Sequence, residues 1–485
     1  MCKSKCKDDL LKLRIKYIIL GEKLVLGLLL TVVIIAWVGY MLSQKYKPQG
    51  VLVVAGVALM VCAVVLGLGP ILPTKQSTGF IWFDIFSTLK QIFSTTLADL
   101  GLTIMSVAGF VQYMEKCGAS QALVEVATRP LKLLNSPLLI MSLAYLIGQA
   151  ISIFIPSHAG LALLLMLTMY PLLIKSGISK LSALAIITTA KFTDIGAVSS
   201  NAILAAHTAG LDPVTYFINY QLPVYIPTLV AVGIAHYFVQ PWWDKREGVM
   251  NRETDEVALV QREVAMKIDK DKPPLIYAVL PTLPLILVIA FSPLFHTGIK
   301  LDVVSAMLLC TIISMIFEFI RYRDGRFVLD NLITFFQGMG KQFTIVVSLI
   351  IAGQFFGAGL VKIGAVDTLI EAAQQGGIGL HAMVLAISAI MIISAFLMGS
   401  GNAAFFSFAA MAPKIAAYLH VDPVIILLPM ELTAGFGRCL SPITAATVAI
   451  AGIAEVSPFQ VAKRCVIPVV VGIIVNLAAT FIIFL

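Results

Sequence analysis

Gly435-Phe436-Gly437-Arg438-Cys439-Leu440-Ser441-Pro442-Ile443-Thr444-Ala445-Ala446-Thr447 interrupts an apolar run that starts near Val421 and continues to about Ile453, where a membrane-spanning helix is expected. Two glycines, a proline and an arginine each cost free energy in a lipid-embedded helix. Together they read as a broken helix over 422–453, whose freed backbone groups face protein or a watery cavity rather than lipid. A discontinuous helix with a charge near the bilayer midplane points to a transporter's binding site.

The rest of the chain has matching composition. Its 485 residues are 59% hydrophobic and 12% charged, with a mean hydropathy of +0.97. Apolar runs of roughly twenty residues recur along it, which excludes a soluble globular protein and gives an all-α polytopic membrane protein of about ten transmembrane helices. The net charge of +8 is read as topological, with no nucleic-acid partner. The seven cysteines are odd in number and scattered, and the one close pair, Cys2 and Cys6, has no histidine nearby; no disulfide framework, metal site or cofactor is expected. The basic start, Lys3 to Lys16, leads into an apolar run to Leu42 that is too long for a signal peptide. No P-loop, Gly-x-Ser-x-Gly elbow or His-Glu-x-x-His helix is present, so the chain reads as neither an ATP-driven pump nor an enzyme.

Hydropathy divides the chain into two halves. The first, 1–240, has spans near 24–42, 51–69 and 102–114, an interfacial segment over 70–100 and an amphipathic surface helix over 119–133. A re-entrant helical hairpin follows over 137–175, its tip at Ile155-Pro156-Ser157-His158-Ala159-Gly160, with two full spans as the alternative. A broken helix over 181–206, interrupted by Lys191 to Asn201, and a span over 222–239 complete it. A densely charged linker occupies 241–273. The second half, 274–485, repeats the order: spans near 275–291, 303–319 and 343–360, an interfacial piece over 321–340, a surface helix at Val366 to Ala373, a hairpin over 381–419 with its tip at Met398 to Ala403, the broken helix 422–453 and a last span. Gly118-Ala119 with Glu125 reappears as Gly364-Ala365 with Glu371, and Asp212-Pro213 with Pro223 matches Ser457-Pro458 with Pro468. Five spans and a hairpin per half force the second half to be inverted, a transporter arrangement of two inverted repeats with broken helices at the midplane. Lys and Arg are richer on the linker's side, which puts the linker in the cytoplasm and both termini outside; the basic tail through Lys23 runs against that assignment.

Lys191 and Arg438 are the basic residues that fall inside spans, at equivalent places in the two broken helices, and Asp194 and Glu431 are the nearest carboxylates. A lone buried charge costs several kcal/mol, so such groups pair with one another or mark a ligand path. Pairing alone would join Lys191 to Asp194 and Arg438 to Glu431 as packing locks. As a ligand site, Arg438 offers a planar fork for a carboxylate. Ser441, Thr444 and Thr447 stand beside it, with a half-helix beginning at Pro442 whose N-H groups are free. Ser199, Ser200 and Asn201 are the first-half counterparts, and the tips add Ser157, Ser400 and Asn402. Four positive helix ends suit an anion, and two pseudo-symmetric sets suit one with two carboxylates. His158 is read as either a hydrogen-bonded structural group or a proton carrier. Asp194, Glu431 and His158 are the candidates for a coupling ion, Na+ or H+.

Gly399-Ser400-Gly401-Asn402-Ala403 with Pro413-Lys414, Gly437-Arg438-Cys439-Leu440-Ser441-Pro442, and Val456-Ser457-Pro458-Phe459 with Lys463-Arg464 resemble the DcuC family of C4-dicarboxylate carriers, within the wider ion transporter superfamily. Ser77-Thr78-Gly79, Gly118-Ala119 and Asn135-Ser136-Pro137 extend the resemblance over nearly the whole chain. It implies uptake, exchange or efflux of fumarate, succinate, malate or aspartate across the bacterial inner membrane during anaerobic metabolism. It also implies a homodimer with an elevator-like transport domain. A carrier for another small carboxylate or an amino acid, or an anion channel, is the alternative.

Overall fold

A chain this apolar can satisfy its backbone within lipid only as helices or a closed barrel, and the computed structural model takes the first course. It describes residues 26–42, 44, 46–248, 273–292, 298–299, 301–365, 368 and 379–485, which are helical without a β-strand. The basic tail with Cys2 and Cys6, most of the charged linker, and nearly all of the surface helix expected at Val366 to Ala373 lie outside the described residues.

The first half runs through α1 (Leu26–Leu42), α2 (Pro48–Leu66), α3 (Ile81–Lys116) and the short α4 (Ala119–Thr128). Then come α5 (Pro137–Ser152), α6 (His158–Thr168), α7 (Lys180–Thr189), α8 (Ser200–Ala209) and α9 (Pro213–Glu247). After the linker follow α10 (Leu275–Ala290), α11 (Val303–Tyr322), α12 (Gly325–Lys362), α13 (Leu380–Met398), α14 (Gly401–Phe408) and α15 (Ala412–Leu419). The last three are α16 (Pro423–Leu440), α17 (Ala445–Ile453) and α18 (Pro458–Phe484). Among the described residues, eight helical stretches are long and apolar enough to cross a membrane.

Two expectations change here. The segments 70–100 and 321–340 are not interfacial pieces set apart from the spans that follow them. From Ile81 and from Gly325 the chain runs on as a single helical path, α3 and α12, through π-helical turns at Leu97–Gly101 and Phe343–Val347. A π turn accommodates an extra residue without opening the helix, so polar and apolar stretches join in one rod. The second change concerns the glycines of the opening stretch. Gly435 and Gly437 lie inside the continuous helix α16, and the interruption falls only at residues 441–444.

Those glycines serve close packing. A Cβ on Gly435 would run into the backbone carbonyl of Phe192, and one on Gly437 into that of Ile392 on α13. Phe436 between them stacks on Phe192 with ring centroids 4.8 Å apart. Elsewhere, α3 and α12 cross where a Cβ on Gly109 would lie 2.7 Å from the Phe335 carbonyl. The helices form two sets of close pairs, joined where α12 packs on α14 and a Cβ on Gly353 would run into the Phe406 carbonyl. One holds both hairpins and both interrupted helices: α9 on α18, α13 on α16, α8 on α16 and α17 on α6. The other holds α2 on α12, α3 on α12 and α4 against the start of α10.

At the linker end, α7, α9 and α18 are clasped by one guanidinium. Arg464 is fully buried and donates to Asp244 at 2.6 Å and to Glu247 at 2.7 Å, while Ser179 and Ser182 also donate to Asp244. Removing both carboxylates in Asp244→Ala/Glu247→Ala strands that charge and is expected to cost about 3–5 kcal/mol. Thermal unfolding in detergent should show the loss, whereas Lys463→Ala, whose side chain is 54% exposed, should leave the melting temperature within about a degree or two.

Candidate functional site

Both hairpins turn by capping. Residues 153–157 join α5 to α6, and Ser157 accepts from the Gly160 N-H as the N-cap of α6. In the other half Gly399 takes φ +62°, which glycine adopts freely, and Ser400 accepts from the Ala403 N-H as the N-cap of α14. The two breaks differ in length. Residues 190–199 leave the helix between α7 and α8, whereas residues 441–444 suffice between α16 and α17. Gly196, at φ +111°, permits the sharper path of the first.

These four features meet at one cavity of about 920 Å³, lined among others by Ser157, Ser200, Asn402, Arg438 and Thr444. The N-terminal turns of α6, α8, α14 and α17 all open onto it. Each brings unpaired N-H groups and the positive end of a helix dipole. The fourth turn starts later than expected: α17 begins at Ala445 with Thr444 as N-cap, and Pro442 stays in the break.

The charged groups form one cluster drawn from both halves. Asp194 takes Arg438 Nη1 at 2.8 Å on Oδ2 and Lys191 Nζ at 3.1 Å on Oδ1. Arg438 Nη2 donates to the Lys191 carbonyl at 2.9 Å, and Nη1 also reaches Asn402 Oδ1 at 3.2 Å. Asn201 Nδ2 bridges, donating to Asp194 at 3.3 Å and to Asn402 at 3.5 Å. Lys191 spends a further hydrogen bond on the Ser152 carbonyl of the first hairpin. Arg438 and Asp194 border the cavity, while Lys191 lies behind them at 1% exposure.

The lock expected between Arg438 and Glu431 does not form. Both sit on the unbroken α16, seven residues and about two turns apart, roughly 10 Å along the axis. Glu431 instead accepts from Tyr216 and Gln221. The other sequence-read candidates divide between cavity and interior. Ser157, Ser199, Ser200, Ser400, Asn402, Thr444 and His158 border the cavity. Asn201, Ser441 and Thr447 are buried and do not. Thr444 Oγ1 donates to the Arg438 carbonyl, and Ser199 Oγ to that of Asp194, so these hydroxyls shape the breaks. His158 Nε2-H donates to the Thr188 carbonyl at 3.2 Å, which fixes its tautomer.

Part of the lining was missed in the sequence. Gln112 and Glu115 on α3 and Lys341 and Gln342 on α12 also line the cavity, and Gln342 Nε2 donates to Ser200 Oγ at 3.2 Å. Gln112 falls inside the span expected over 102–114, while Glu115, Lys341 and Gln342 fall just outside the expected spans, where polar residues carry no signal of a cavity.

Half-helices whose positive ends face a shared cavity, inside an all-helical apolar body, define a membrane transporter. Solved structures agree on the fold: YdaH of Alcanivorax borkumensis matches with a TM-score of 0.64 over 90% of this chain and 98% of its own, at 14% identity. MtrF of Neisseria gonorrhoeae matches with a TM-score of 0.59 over 92% and 96%, also at 14% identity. The chain belongs to the DcuC family, C4-dicarboxylate anaerobic carrier, whose pattern matches residues 26–485. Among relatives, the probable anaerobic C4-dicarboxylate transporter DcuC of Vibrio cholerae is 32% identical over 95% of this chain and 98% of its own. The anaerobic C4-dicarboxylate transporter DcuC of Escherichia coli K12 is 33% identical over 93% and 96%.

Asp194 is the only acid recorded in ion-pair contact with Lys191 and Arg438 among the described residues. Asp194→Ala therefore leaves two buried cations facing each other, with an expected loss of about 3–5 kcal/mol. A detergent melting curve should show it, and Asp194→Glu should recover part of the stability.

Proposed function

We propose that this chain carries C4-dicarboxylates such as fumarate, succinate, malate and aspartate across the bacterial inner membrane, by exchange or ion-coupled symport. The observation that carries the reading is the convergence of four helix N-termini on a cavity bordered by Arg438. One carboxylate takes the place of Asn402 Oδ1 on Arg438 Nη1, the longer of that nitrogen's two hydrogen bonds, and is held by the free amides of α14 and α17. The second lies against the N-terminal turns of α6 and α8, with Ser157, Ser200 and His158. Lys191 acts through its field, because its ammonium is spent on Asp194 and the hairpin carbonyl. Family membership and the relatives' transport names support the substrate class.

In this reading the halves are two inverted repeats. The packed group of hairpins and interrupted helices moves as one body against α2, α3 and α12, in elevator fashion, while the second group holds a homodimer. The hydrogen bond from Gln342 to Ser200 is one contact such a movement would exchange.

Counterflow of labelled succinate in proteoliposomes tests the reading, with a panel of dicarboxylates, monocarboxylates and amino acids and with conductance recorded alongside. Saturable exchange confined to the dicarboxylates is expected. Arg438→Ala should lower it at least tenfold, the scale of one lost charge-assisted hydrogen bond. Lys191→Met should reduce transport more than it reduces the yield of folded protein; undiminished transport in the Arg438 variant would remove it from the site.

A further inference from the structure

Glu431 takes no part in the cluster around Arg438. It is fully buried in α16 and accepts hydrogen bonds from Tyr216 Oη at 2.5 Å and Gln221 Nε2 at 2.9 Å. Asp194 sits between two cations, but among the described residues no Lys, Arg or His lies within ion-pair distance of Glu431. An ionised carboxylate held in the interior without a countercharge costs several kcal/mol, and protonation removes the cost.

Its two neighbours suit either protonation state. Tyr216 can donate to the carboxylate or accept from the carboxylic acid, since a phenol does both. Gln221 closes a π-helical turn, Phe217–Gln221, of a kind that often marks functional positions. Besides donating to Glu431, its Nε2 points at the Asp194 carbonyl at 3.5 Å and its Oε1 accepts from the Gly196 N-H at 3.2 Å. One amide thus ties Glu431 to the break that carries Asp194. The titratable groups bearing on Glu431 are Tyr216 from α9 and Asp194 from the break; α8, α13, α14, α15 and α18, which also pack on α16, bring none among the described residues. A separate cavity of about 530 Å³ reaches Asp212, the N-cap of α9, and Pro213 and Val214 on its first turn. Glu431 itself is fully buried and borders neither cavity; its link to the larger one runs through Gln221 to the break that carries Asp194.

The charges make the link to transport. Taking Lys191, Asp194, Glu431 and Arg438 alone, the charges sum to zero with Glu431 ionised and to one positive charge with Glu431 protonated. We infer that Glu431 is the proton-binding site of the carrier, protonated when the dicarboxylate is loaded and deprotonated when it is released. The proton passes from a hydronium ion in one compartment to a carboxylate oxygen of Glu431. After the transport body has moved, the O-H bond breaks to water in the other compartment. This rests on the carrier reading above and adds the coupling ion to it.

Proteoliposomes holding a pH dye, given labelled succinate, would count protons moved per succinate. Wild type should move protons with succinate, and Glu431→Gln should move one fewer. An unchanged ratio in the variant, or net wild-type succinate uptake into succinate-free vesicles with no proton flux, overturns the proton site while leaving the carrier reading in place. Tyr216→Phe removes a donor to the ionised form, so its pH profile of uptake should shift to higher pH by about one unit. If Glu431→Gln is inactive in every mode, that shift decides: its presence supports the site and its absence overturns it. Absence of counterflow for every dicarboxylate overturns the carrier reading, and the proton site with it.

Discussion

Asp194 holds the centre of this molecule together. It comes from the first half of the chain and binds one cation from its own half and one from the other. Two like charges buried side by side would push the halves apart, and a single carboxylate converts that repulsion into a bond between the two breaks. The Lys191 carbonyl completes the knot by accepting from Arg438 Nη2. A site so nearly neutralised is not a sink for anions. Within the cluster of Lys191, Asp194 and Arg438 one unit of positive charge is left over, beside four helix N-termini.

Much of this was legible in the residues. Polar groups within apolar runs located both hairpin tips, both breaks and the charges between them, because each such group must be explained in lipid. What misled was the assumption that glycine means interruption. Gly435 and Gly437 look like helix breakers by propensity, yet the helix runs through them and uses their missing side chains to bring a neighbouring backbone into contact. That is a property of the partner surface, here the carbonyls of Phe192 and Ile392, and no single segment carries it.

Pairing was the second thing that local sequence hid. Glu431 is the carboxylate nearest Arg438 along the chain, and its helix places it two turns away, out of reach. The partner that wins is more than two hundred residues distant and arrives through the fold. The π turns in α3 and α12 worked in the same direction, splicing polar segments into membrane-length helices and so placing Gln112, Glu115, Lys341 and Gln342 in the cavity's lining.

The clasp around Arg464 joins the last helix of one half to the last helix of the other, and α8 lies against α16 across the same divide. The halves therefore hold each other without needing the peptide bonds between Gly248 and Pro273. Two separate polypeptides divided in that interval would still present both sides of these contacts to one another. Joining them in one chain fixes their ratio at one to one.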